Sequence, residues 1–578
     1  MRSALAVVAF LLAACVPAAA LAVDYRVEIE APRPLADILR KGLNLVRWQD
    51  DPQMGPEQLR RLADEAVREA QEVAATEGYF SARVQLELDE KTSPWRIVLR
   101  IEPGERTRVS GVQIEVTGPA SEDPQMKQRI ERVRSAWTLR PGEPFRQSDW
   151  DAAKRQAVRE LARWRYAAAD VGVSEARIDP DRQEAALHVQ LRSGPPFRVG
   201  DTRVSGTKRY PDEVVANLNP VRPGDTYDRD LLIVYQRRLL ETGYFASAQA
   251  ELDVQAAQAD AAVLRVAVIE APAQHVEAGV SYNTDAGPRV ELRYSHQHVL
   301  DSPWRFRSGL RVDQKIQDLQ LDLDSPPKPG ARWNNFFARG RRADIQQEQT
   351  ETISFGVNHN FGADIVPSAL IASVNFEQRQ VFGDISDNSH ALYLGYRHTF
   401  RRTDDVISPR AGWFGSAEIG GGPPGLSSRQ FLRALASASY FIPFGRVDDL
   451  VIRGQAGAVM AQSRSGIPSL FLFRTGGDQT VRGYGFESLG VRQGEAVVGG
   501  RYLLVGSAEY TRWVADNWGI AGFVDAGNAW DSGVRFEPAV GYGVGARFRT
   551  PIGPIRADLA YGQETQAFRL HFSVGYTF

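Results

Sequence analysis

Near its C-terminus the chain alternates between apolar and polar side chains, and this alternation constrains the fold more than any other feature. Over residues 536–550 one parity is apolar and the other is glycine or arginine. The apolar set is Val540, Tyr542, Val544, Ala546 and Phe548, and the opposite set is Gly541, Gly543, Gly545, Arg547 and Arg549. A soluble sandwich would bury the apolar set, whereas a membrane barrel exposes it to lipid and keeps the arginines in a wet lumen. The same pattern recurs over residues 555–562 and 568–578, with Asp558 and His571 in the polar, inward sets.

Length and composition suit a barrel but do not select it. Residues 271–578, shared among sixteen strands, leave about 19 residues for each strand and its connection, which fits membrane strands of about 9–11 residues. Fourteen or eighteen strands would fit nearly as well. The charged fraction of 24% and the 51 glycines are equally compatible with an ordinary globular protein. The net charge of −2 gives no electrostatic case for nucleic-acid binding.

The first 22 residues have the features of a secretory signal peptide. Arg2 gives a positive start, residues 5–14 are apolar, and Ala20-Leu21-Ala22 forms a small-x-small cleavage site. The alternative is a lipobox at residues 12–15, with Cys15 acylated and retained. Both interpretations export the protein and leave its single cysteine in or beside the targeting segment, so we expect no disulfide framework.

Residues 24–270 repeat one arrangement three times: a short strand, helical sequence, and then two strands. The first copy has a predicted helix over residues 56–77 followed by Gly78-Tyr79-Phe80. The third has one over residues 231–242 followed by Gly243-Tyr244-Phe245. A glycine at this point ends a helix in the left-handed conformation. The middle copy has Ala168-Ala169-Asp170 instead.

In the third copy the two strands are expected over residues 250–254 and 262–269. A Pro-Gly turn, Pro141-Gly142 or Pro223-Gly224, precedes the helix of the second and third copies. Repeats of this kind resemble POTRA domains, the polypeptide-transport-associated modules that precede outer-membrane assembly barrels. The resemblance implies an α+β fold whose exposed strand edge accepts a client or partner strand; the alternative is that the repeats are spacers. The predicted domains are 24–103, 104–194, 195–270 and, for the barrel, 271–578.

Three segments of the barrel region carry a more specific resemblance. Residues 473–484 read FRTGGDQTVRGY, residues 522–530 read GFVDAGNAW, and residues 408–413 read SPRAGW. They are similar to the sixth loop, its inward-facing partner strand and a third shared segment of the outer-membrane assembly superfamily. With three repeats where the general assembly factor BamA has five, the chain most resembles the TamA family. The expected count of sixteen antiparallel transmembrane strands comes from this resemblance.

The resemblance implies that the loop folds into the lumen and places Arg482 beside Asp525, where a planar guanidinium binds a carboxylate through two hydrogen bonds. Strand parity allows this, because a strand that directs Ile520 and Val524 to lipid directs Phe523 and Asp525 inward. The alternative for Arg482 is a solvated loop charge. The candidate residues are Gly476, Gly477, Asp478, Val481, Arg482, Gly483 and Tyr484 on the loop, and Phe523, Asp525 and Gly527 on the partner strand.

The seam between the first and last barrel strands is the other candidate site. We expect the first strand, over residues 276–282, to pair with the last. Gly279 and Gly575 add no side-chain packing there, so weak pairing would let the seam open and template a client strand. The alternative is that these glycines accommodate curvature. In the family Phe578 completes a C-terminal signal for barrel insertion; membership of an aromatic interface girdle is the other interpretation.

The resemblance implies a barrel insertase that helps fold or export other outer-membrane proteins, notably autotransporters, without ATP. Its expected partner is TamB, an inner-membrane-anchored periplasmic protein that docks on the POTRA domains. The alternatives are a phospholipid conduit with the same partner and a two-partner secretion pore. We expect no enzyme activity, cofactor or metal. His296 and His298 have no evident third ligand, and the prolines of Ser325-Pro326-Pro327-Lys328 forbid the helix that a Ser-x-x-Lys site needs.

Overall fold

The computed structural model describes residues 23–284, 286–362, 368–382, 386–405, 409–445, 447–550 and 553–574. The predicted signal segment, residues 1–22, and the seam residues Gly575 and Phe578 lie outside these ranges. The described chain forms three small α/β domains with POTRA-like element order, followed by one 16-stranded antiparallel sheet. Both parts of the predicted fold class are confirmed.

Each α/β domain has a three-stranded sheet whose last strand lies in the middle. In the first two domains that strand runs parallel to the first strand and antiparallel to the second. The first domain comprises β1 (Tyr25–Glu30), α1 (Leu35–Gly42), α2 (Asn44–Arg47), α3 (Pro56–Thr76), β2 (Arg83–Asp89) and β3 (Trp95–Glu102). The second comprises β4 (Arg108–Thr117), α4 (Pro119–Glu122), α5 (Lys127–Ser135), α6 (Gln147–Leu161), β5 (Asp170–Asp179) and β6 (Glu184–Arg192). The third comprises β7 (Val199–Ser205), α7 (Asp212–Ala216), α8 (Arg229–Glu241), β8 (Phe245–Leu252) and β9 (Ala262–Glu270).

The longest helix, α3, shows how the sequence builds these domains. Pro56 occupies its first turn, where a missing N–H costs nothing. Gly78 follows its end with a φ of 91°, as the sequence predicts. Spacings of three and four residues place the buried side chains on one face. These are Leu59, Ala63, Ala66, Ala70 and Ala74. Among the described residues, no helix is both long enough and apolar enough to cross a bilayer.

The third domain departs from the prediction at one strand. Gly243 has the expected positive φ, 75°. However, β8 begins directly at Phe245 and ends at Leu252, whereas the sequence predicted a strand over residues 250–254. The small side chains that follow Phe245 give little contrast between the two faces, so the alternation is hidden in the sequence. The aromatic residue is therefore the start of the strand, which suits its β-propensity.

The sixteen strands of the large sheet follow one another as antiparallel neighbours from the first to the last. They are β10 (Gln274–Asn283), β11 (Gly287–Val299), β12 (Trp304–Val312), β13 (Ile316–Asp324), β14 (Trp333–Ile345), β15 (Glu348–Phe361), β16 (Ser368–Val381), β17 (Asp387–Thr403), β18 (Gly412–Gly422), β19 (Phe431–Phe444), β20 (Asp448–Met460), β23 (Tyr502–Trp513), β24 (Trp518–Trp530), β25 (Ala539–Thr550), β26 (Gly553–Gly562) and β27 (Ala567–Val574). Two short strands, β21 (Val491–Gln493) and β22 (Ala496–Val498), form a separate hairpin between β20 and β23.

The two faces of this sheet differ as the alternation predicts. On β25, Tyr542 and Val544 are exposed, whereas Arg547 is only 3% exposed. On β27, Phe568 is 71% exposed and His571 only 1%. Large apolar side chains on the outside and buried charges on the inside are the reverse of a soluble protein and match a barrel in lipid.

The first and last strands adjoin without pairing in the described residues. Ladders join β10 to β11 and β27 to β26, and Cα atoms of β10 and β27 approach within 8 Å. No ladder between β10 and β27 occurs over residues 274–283 and 567–574. The predicted pairing of first and last strands is therefore not formed there. A Cβ added at Gly279 would meet nothing within 4 Å, so the space beside this glycine is open.

Part of the third domain forms one compact unit with the barrel sheet. Within that unit, the Asn217 side-chain amide donates to the carbonyl of Pro327 at 2.9 Å. The Tyr244 hydroxyl donates to the carbonyl of Pro303 at 2.5 Å. Both carbonyls belong to turns at the end of the sheet where the chain enters β10. Because neighbouring strands are antiparallel, β20 runs in the same direction as β10 and ends at the opposite end of the sheet. The long connection between β20 and β23 starts there.

Candidate functional site in the barrel lumen

Between β20 and β23 the chain runs through residues 461–501, which we call the lumen loop. Its apolar residues pack against inward-facing residues of the wall, including Tyr393 on β17 and Val505 on β23. The loop therefore lies inside the sheet, as the family resemblance implies. The buried loop residues of this core are Ile467, Phe471, Leu472, Phe473, Val481, Tyr484 and Leu489.

Residues 476–488 form a finger that is closed at its base. Thr475 and Leu489 exchange two backbone hydrogen bonds of 2.9 Å. Gly476 and Gly477 have φ values of 106° and 103°, a conformation that residues with a Cβ rarely adopt. Asp478 lies just beyond them and accepts a hydrogen bond of 3.0 Å from its neighbour Gln479. The finger therefore has a fixed shape from which the residues after Val481 project.

Arg482 is held by Asp525 of β24. Nε and Nη2 donate to the two carboxylate oxygens at 2.7 and 2.9 Å, and the Arg482 backbone N–H donates to Oδ2 at 3.1 Å. The Ser507 hydroxyl also donates to Oδ1, at 2.7 Å. The side chains of the pair are only 2% and 1% exposed. A bidentate, desolvated pair of this kind is strong provided that every partner is in place.

Three further residues extend this pair into a network. Arg482 Nη1 lies 2.7 Å from Glu509 Oε2 on β23 and 3.1 Å from Asp558 Oδ2 on β26. Arg547 on β25 donates to the same two acids at 2.9 and 2.5 Å. Arg547 was predicted to face the lumen, but none of the three residues was assigned to the site. The alternation along each strand could have identified them, because a charge at an inward position of a membrane strand needs a partner.

Phe523 and two inward glycines, Gly541 and Gly543, form the surface against which Arg482 packs. The guanidinium carbon lies 3.4 Å from the centroid of the Phe523 ring, a cation–π arrangement. A Cβ at Gly541 on β25 would lie 1.8 Å from the Arg482 carbonyl oxygen. One at Gly543 would lie 2.8 Å from the Phe523 ring. The glycine row of β25 therefore makes the space that the loop and the aromatic ring occupy.

Gly483 and Tyr484 connect the finger to the last three strands. The Gly483 N–H donates to His571 Nε2 on β27 at 3.0 Å, so this nitrogen carries no proton in the contact. A Cβ at Gly483 would lie 2.7 Å from the backbone nitrogen of Gly562 on β26. The Tyr484 hydroxyl donates to the carbonyl of Val540 on β25 at 3.1 Å. His571 was predicted to face inward but was not assigned to the site.

The remaining candidates lie outside this network. Gly527 is on β24, where a Cβ would meet Leu504 and Val505 of β23 within 2.8 Å. Ser408 of the SPRAGW segment lies outside the described residues, and Arg410 pairs with Asp449 at 2.9 Å near the β17–β18 turn. No group of three or more His, Cys, Asp or Glu side chains in the described part of the chain is arranged to hold a metal ion.

Comparison with protein families agrees with this architecture. Residues 272–578 match the model of the Omp85 superfamily domain. Residues 197–269 match a POTRA model described as a surface antigen variable number repeat. Residues 27–103 match the model described as POTRA domain TamA domain 1.

Curated relatives and a solved structure show the same likeness. The outer membrane protein assembly factor BamA of Nitratidesulfovibrio vulgaris is 24% identical over 451 residues, which cover 71% of this chain and 56% of that protein. BamA of Neisseria meningitidis serogroup B is 22% identical, with 87% of this chain and 71% of that protein covered. The chain thus spans little more than half the length of the first relative. The crystal structure of Haemophilus ducreyi BamA lacking POTRA domains 1–3 has a TM-score of 0.55 at 14% identity and covers 82% of this chain and 100% of that one.

Fold and lumen network together define an outer-membrane barrel protein with periplasmic POTRA domains. The chain belongs to the Omp85 superfamily, whose domain model covers more than half of it. Its fold is that of the outer-membrane insertases and transporters of this superfamily. The barrel end at which β10 begins therefore faces the periplasm.

Proposed function

We propose that this protein is the outer-membrane subunit of a TamA-type translocation and assembly module. It assists the insertion of other outer-membrane proteins, autotransporters among them. The match of residues 27–103 to the first POTRA domain of TamA supports this assignment. So does the presence of three POTRA-like domains ahead of the barrel. The curated BamA relatives are themselves named assembly factors for outer-membrane proteins.

The observation that carries the proposal is the pair of adjoining strand edges at β10 and β27, with no ladder between them over residues 274–283 and 567–574. An unpaired edge carries a row of free N–H and C=O groups, and hydrocarbon offers them no water. Each such group costs several kcal/mol when it is left unsatisfied in lipid. A client strand that pairs with the edge satisfies these groups, so the edge is a template for β-augmentation. The client's own folding free energy then drives the step without ATP.

In this proposal the POTRA domains recruit the partner. Their sheets have strand edges at β2 and β5, because the middle strands are β3 and β6. An extended segment of a β-rich, inner-membrane-anchored protein such as TamB adds to one of these edges by backbone hydrogen bonding. The lumen loop, fixed by Arg482, stabilises the wall from inside while the edges of β10 and β27 accept a client strand.

The test is a disulfide scan of the seam in the full-length protein. Cysteine pairs join residues 276–282 of β10 to residues 568–572 of β27, and autotransporter display and phospholipid transport are both measured before and after reduction. The matched control is a cysteine pair between β14 and β15, for example at the directly paired positions Gly340 and Ile353.

The expected result is reversible loss of display when the seam is locked and none when the control ladder is locked. Display that survives a locked seam while lipid transport fails would replace the insertase with a phospholipid conduit. If both activities survive, the seam is purely structural and the insertion mechanism proposed here is wrong.

A further inference from the structure

The lumen loop has a second set of contacts, on strands far from the Arg482 network. Glu348, the first residue of β15, is only 1% exposed, and its Oε2 lies 2.9 Å from Arg474 Nη1. The other Arg474 nitrogen, Nη2, lies 2.9 Å from Glu487 Oε2. Nη1 also donates to the carbonyl of Val497 at 3.1 Å. We call the Glu348–Arg474 pair the base anchor, because Arg474 immediately precedes the bridge that closes the finger.

Apolar and backbone contacts reinforce the base anchor on the same side of the lumen. Phe486 packs against a buried cluster of Ile316, Ala343 and Ile345 on β13 and β14. The β21–β22 hairpin packs Ala496 and Val498 against Val381 of β16. The Val497 N–H donates to the carbonyl of Gln346, in the β14–β15 turn, at 3.1 Å. The base of the finger is thus held by β13 to β16.

The tip of the finger is held by the other half of the wall. Arg482 pairs with acids on β23, β24 and β26, and Gly483 donates to His571 on β27. The wall between β27 and β15 includes the junction of β27 and β10, where no ladder occurs over residues 274–283 and 567–574. The lumen loop connects the same two parts of the wall through two ion pairs instead, the base anchor at Arg474 and the Arg482–Asp525 pair at the tip.

We infer that the lumen loop is a tie across the barrel, and that Arg474 and Glu348 are positioning residues as necessary as Arg482 for keeping the edges of β10 and β27 together. The two anchors act in series, because the finger joins them end to end. Releasing either one releases the tie, so their effects on the seam cannot add. Independent contributions at well-separated sites would add. This inference deepens the proposed function and rests on it only for its biological consequence.

The experiment measures the seam directly in the full-length protein. Spin labels are attached to cysteines that replace Val280 on β10 and Leu570 on β27, both exposed on the outer surface, in a Cys15→Ser background. Label-to-label distances are recorded by double electron–electron resonance in phosphatidylethanolamine–phosphatidylglycerol vesicles. The variants are Arg474→Gln, Arg482→Ala, their combination, and Glu348→Gln, which weakens the base anchor from the strand side and keeps the contact of Arg474 with Glu487.

The matched control is Arg342→Gln. Arg342 is an arginine of the same half of the wall, whose 3.6 Å pair with Glu351 is 57% and 59% exposed. Heat-modifiable gel migration shows which variants are folded. Glu348→Gln keeps the test decisive if Arg474→Gln does not fold.

We expect Arg474→Gln to lengthen the seam distance by about one strand spacing, ~5 Å, as Arg482→Ala does. The double variant should equal the larger single effect, Glu348→Gln should lengthen the distance as Arg474→Gln does, and Arg342→Gln should leave it unchanged. An additive double variant, or an unchanged distance in Arg474→Gln, overturns the tie. A lengthened seam with undiminished autotransporter display keeps the tie and overturns the insertion mechanism, so the two failures are distinguishable.

Discussion

At the scale of single residues, the lumen network binds Arg482 through several partners at once and not through a single ion pair. Arg482 uses Nε, Nη1, Nη2 and its backbone N–H on three carboxylates, and its planar face lies on Phe523. Desolvating so many charges is costly, and the cost is recovered only when all partners are present. Such a site is stable when all members are present and strongly destabilised when one member is removed.

The first prediction concerns Arg482→Ala. This change leaves Asp525, Glu509 and Asp558 close together with one guanidinium fewer. We expect it to lower the free energy of unfolding of the barrel by about 3–5 kcal/mol, the usual cost of removing one partner from a buried pair. Guanidinium-induced unfolding in detergent micelles measures this change.

The matched control for this prediction is Arg512→Ala on β23. Arg512 is 63% exposed and its nearest acid oxygen, on Asp448, is 3.7 Å away. We expect that change to cost below about 1 kcal/mol, as for other surface pairs. Equal unfolding midpoints for the two variants would show that the lumen network contributes nothing to stability.

The second prediction is a pH dependence outside the membrane. Glu270, at the end of β9, accepts the backbone N–H groups of Lys208, Arg209 and Tyr210 on one carboxylate oxygen, at 2.7, 2.7 and 3.2 Å. Partial burial acts to raise the pKa of Glu270, but these N–H groups together with Arg209 outweigh it, so the pKa lies below its ordinary value of 4.5. The carboxylate therefore stabilises the third domain fully above pH 4.5.

This stabilisation is lost as the pH falls below 4.5 and through the lowered folded pKa, because the unfolded state then binds the proton more tightly. Hydrogen exchange at amides 208–210, corrected for the intrinsic rate, should show protection decreasing across that window. Glu270→Gln keeps an acceptor oxygen without the charge, so its protection should be weaker at pH 7 and flat with pH. A Gln variant that titrates like the wild type would assign the effect to another group.

At the scale of elements, β25 has two roles that its sequence shows only in part. Its alternation predicts an apolar outer face and a glycine-rich inner face, and both are observed. The reason for the inner glycines lies on other elements, because the Arg482 backbone and the Phe523 ring occupy the space. A strand read by itself gives no information on what approaches it.

The third prediction tests whether the inner glycines of β25 make the space that the finger occupies. A Cβ at Gly541 would lie 1.8 Å from the Arg482 carbonyl oxygen, which is backbone and cannot yield like a flexible side chain. We expect Gly541→Ala to displace the finger and expose the loop to protease. The control is Gly522→Ala on the neighbouring strand β24, where a Cβ would meet nothing within 4 Å. Limited proteolysis of the folded barrel compares the two; equal cleavage would mean that β25 does not seat the loop.

At the scale of the whole molecule, the first POTRA domain has a core of its own. The buried cluster that contains Leu39, Leu59 and Leu99 draws all its members from residues 23–101. Removing this domain takes away one side chain from the edge of the second domain's core, Phe80, whose ring centroid lies 5.8 Å from that of Phe145. The core of the first domain is therefore separate from the barrel, so the proposed partner recruitment can be tested apart from barrel folding.

The fourth prediction follows from that division. We expect deletion of residues 24–103 to leave heat-modifiable migration of the barrel unchanged and to abolish co-purification of the TamB-like partner. Autotransporter display should fall with partner binding, because recruitment precedes insertion in the proposed mechanism. Full partner binding by the shortened chain would move the docking surface to the second or third domain.

Local patterns in the sequence determined which residues face lipid, where α3 ends and where the loop must turn. Each of these depends on backbone geometry within a few residues: the two-residue period of a strand, or the positive φ at Gly78 and Gly476. Parity likewise directed Asp525 and His571 inward. The start of β8 was misplaced because alanine and serine give no contrast between the two faces.

Beyond the Arg482–Asp525 pair that the family resemblance implies, only the tertiary structure decided which inward charges meet. Arg482 and Asp558 are 76 residues apart in sequence, and Arg474 lies 129 residues from Ile345, whose carbonyl it contacts beside Glu348. Their proximity depends on the register of sixteen strands and on the path of one loop across the lumen, and no local pattern carries that information. The sequence by itself determined which faces the strands present, and the fold determined how the loop ties those faces together.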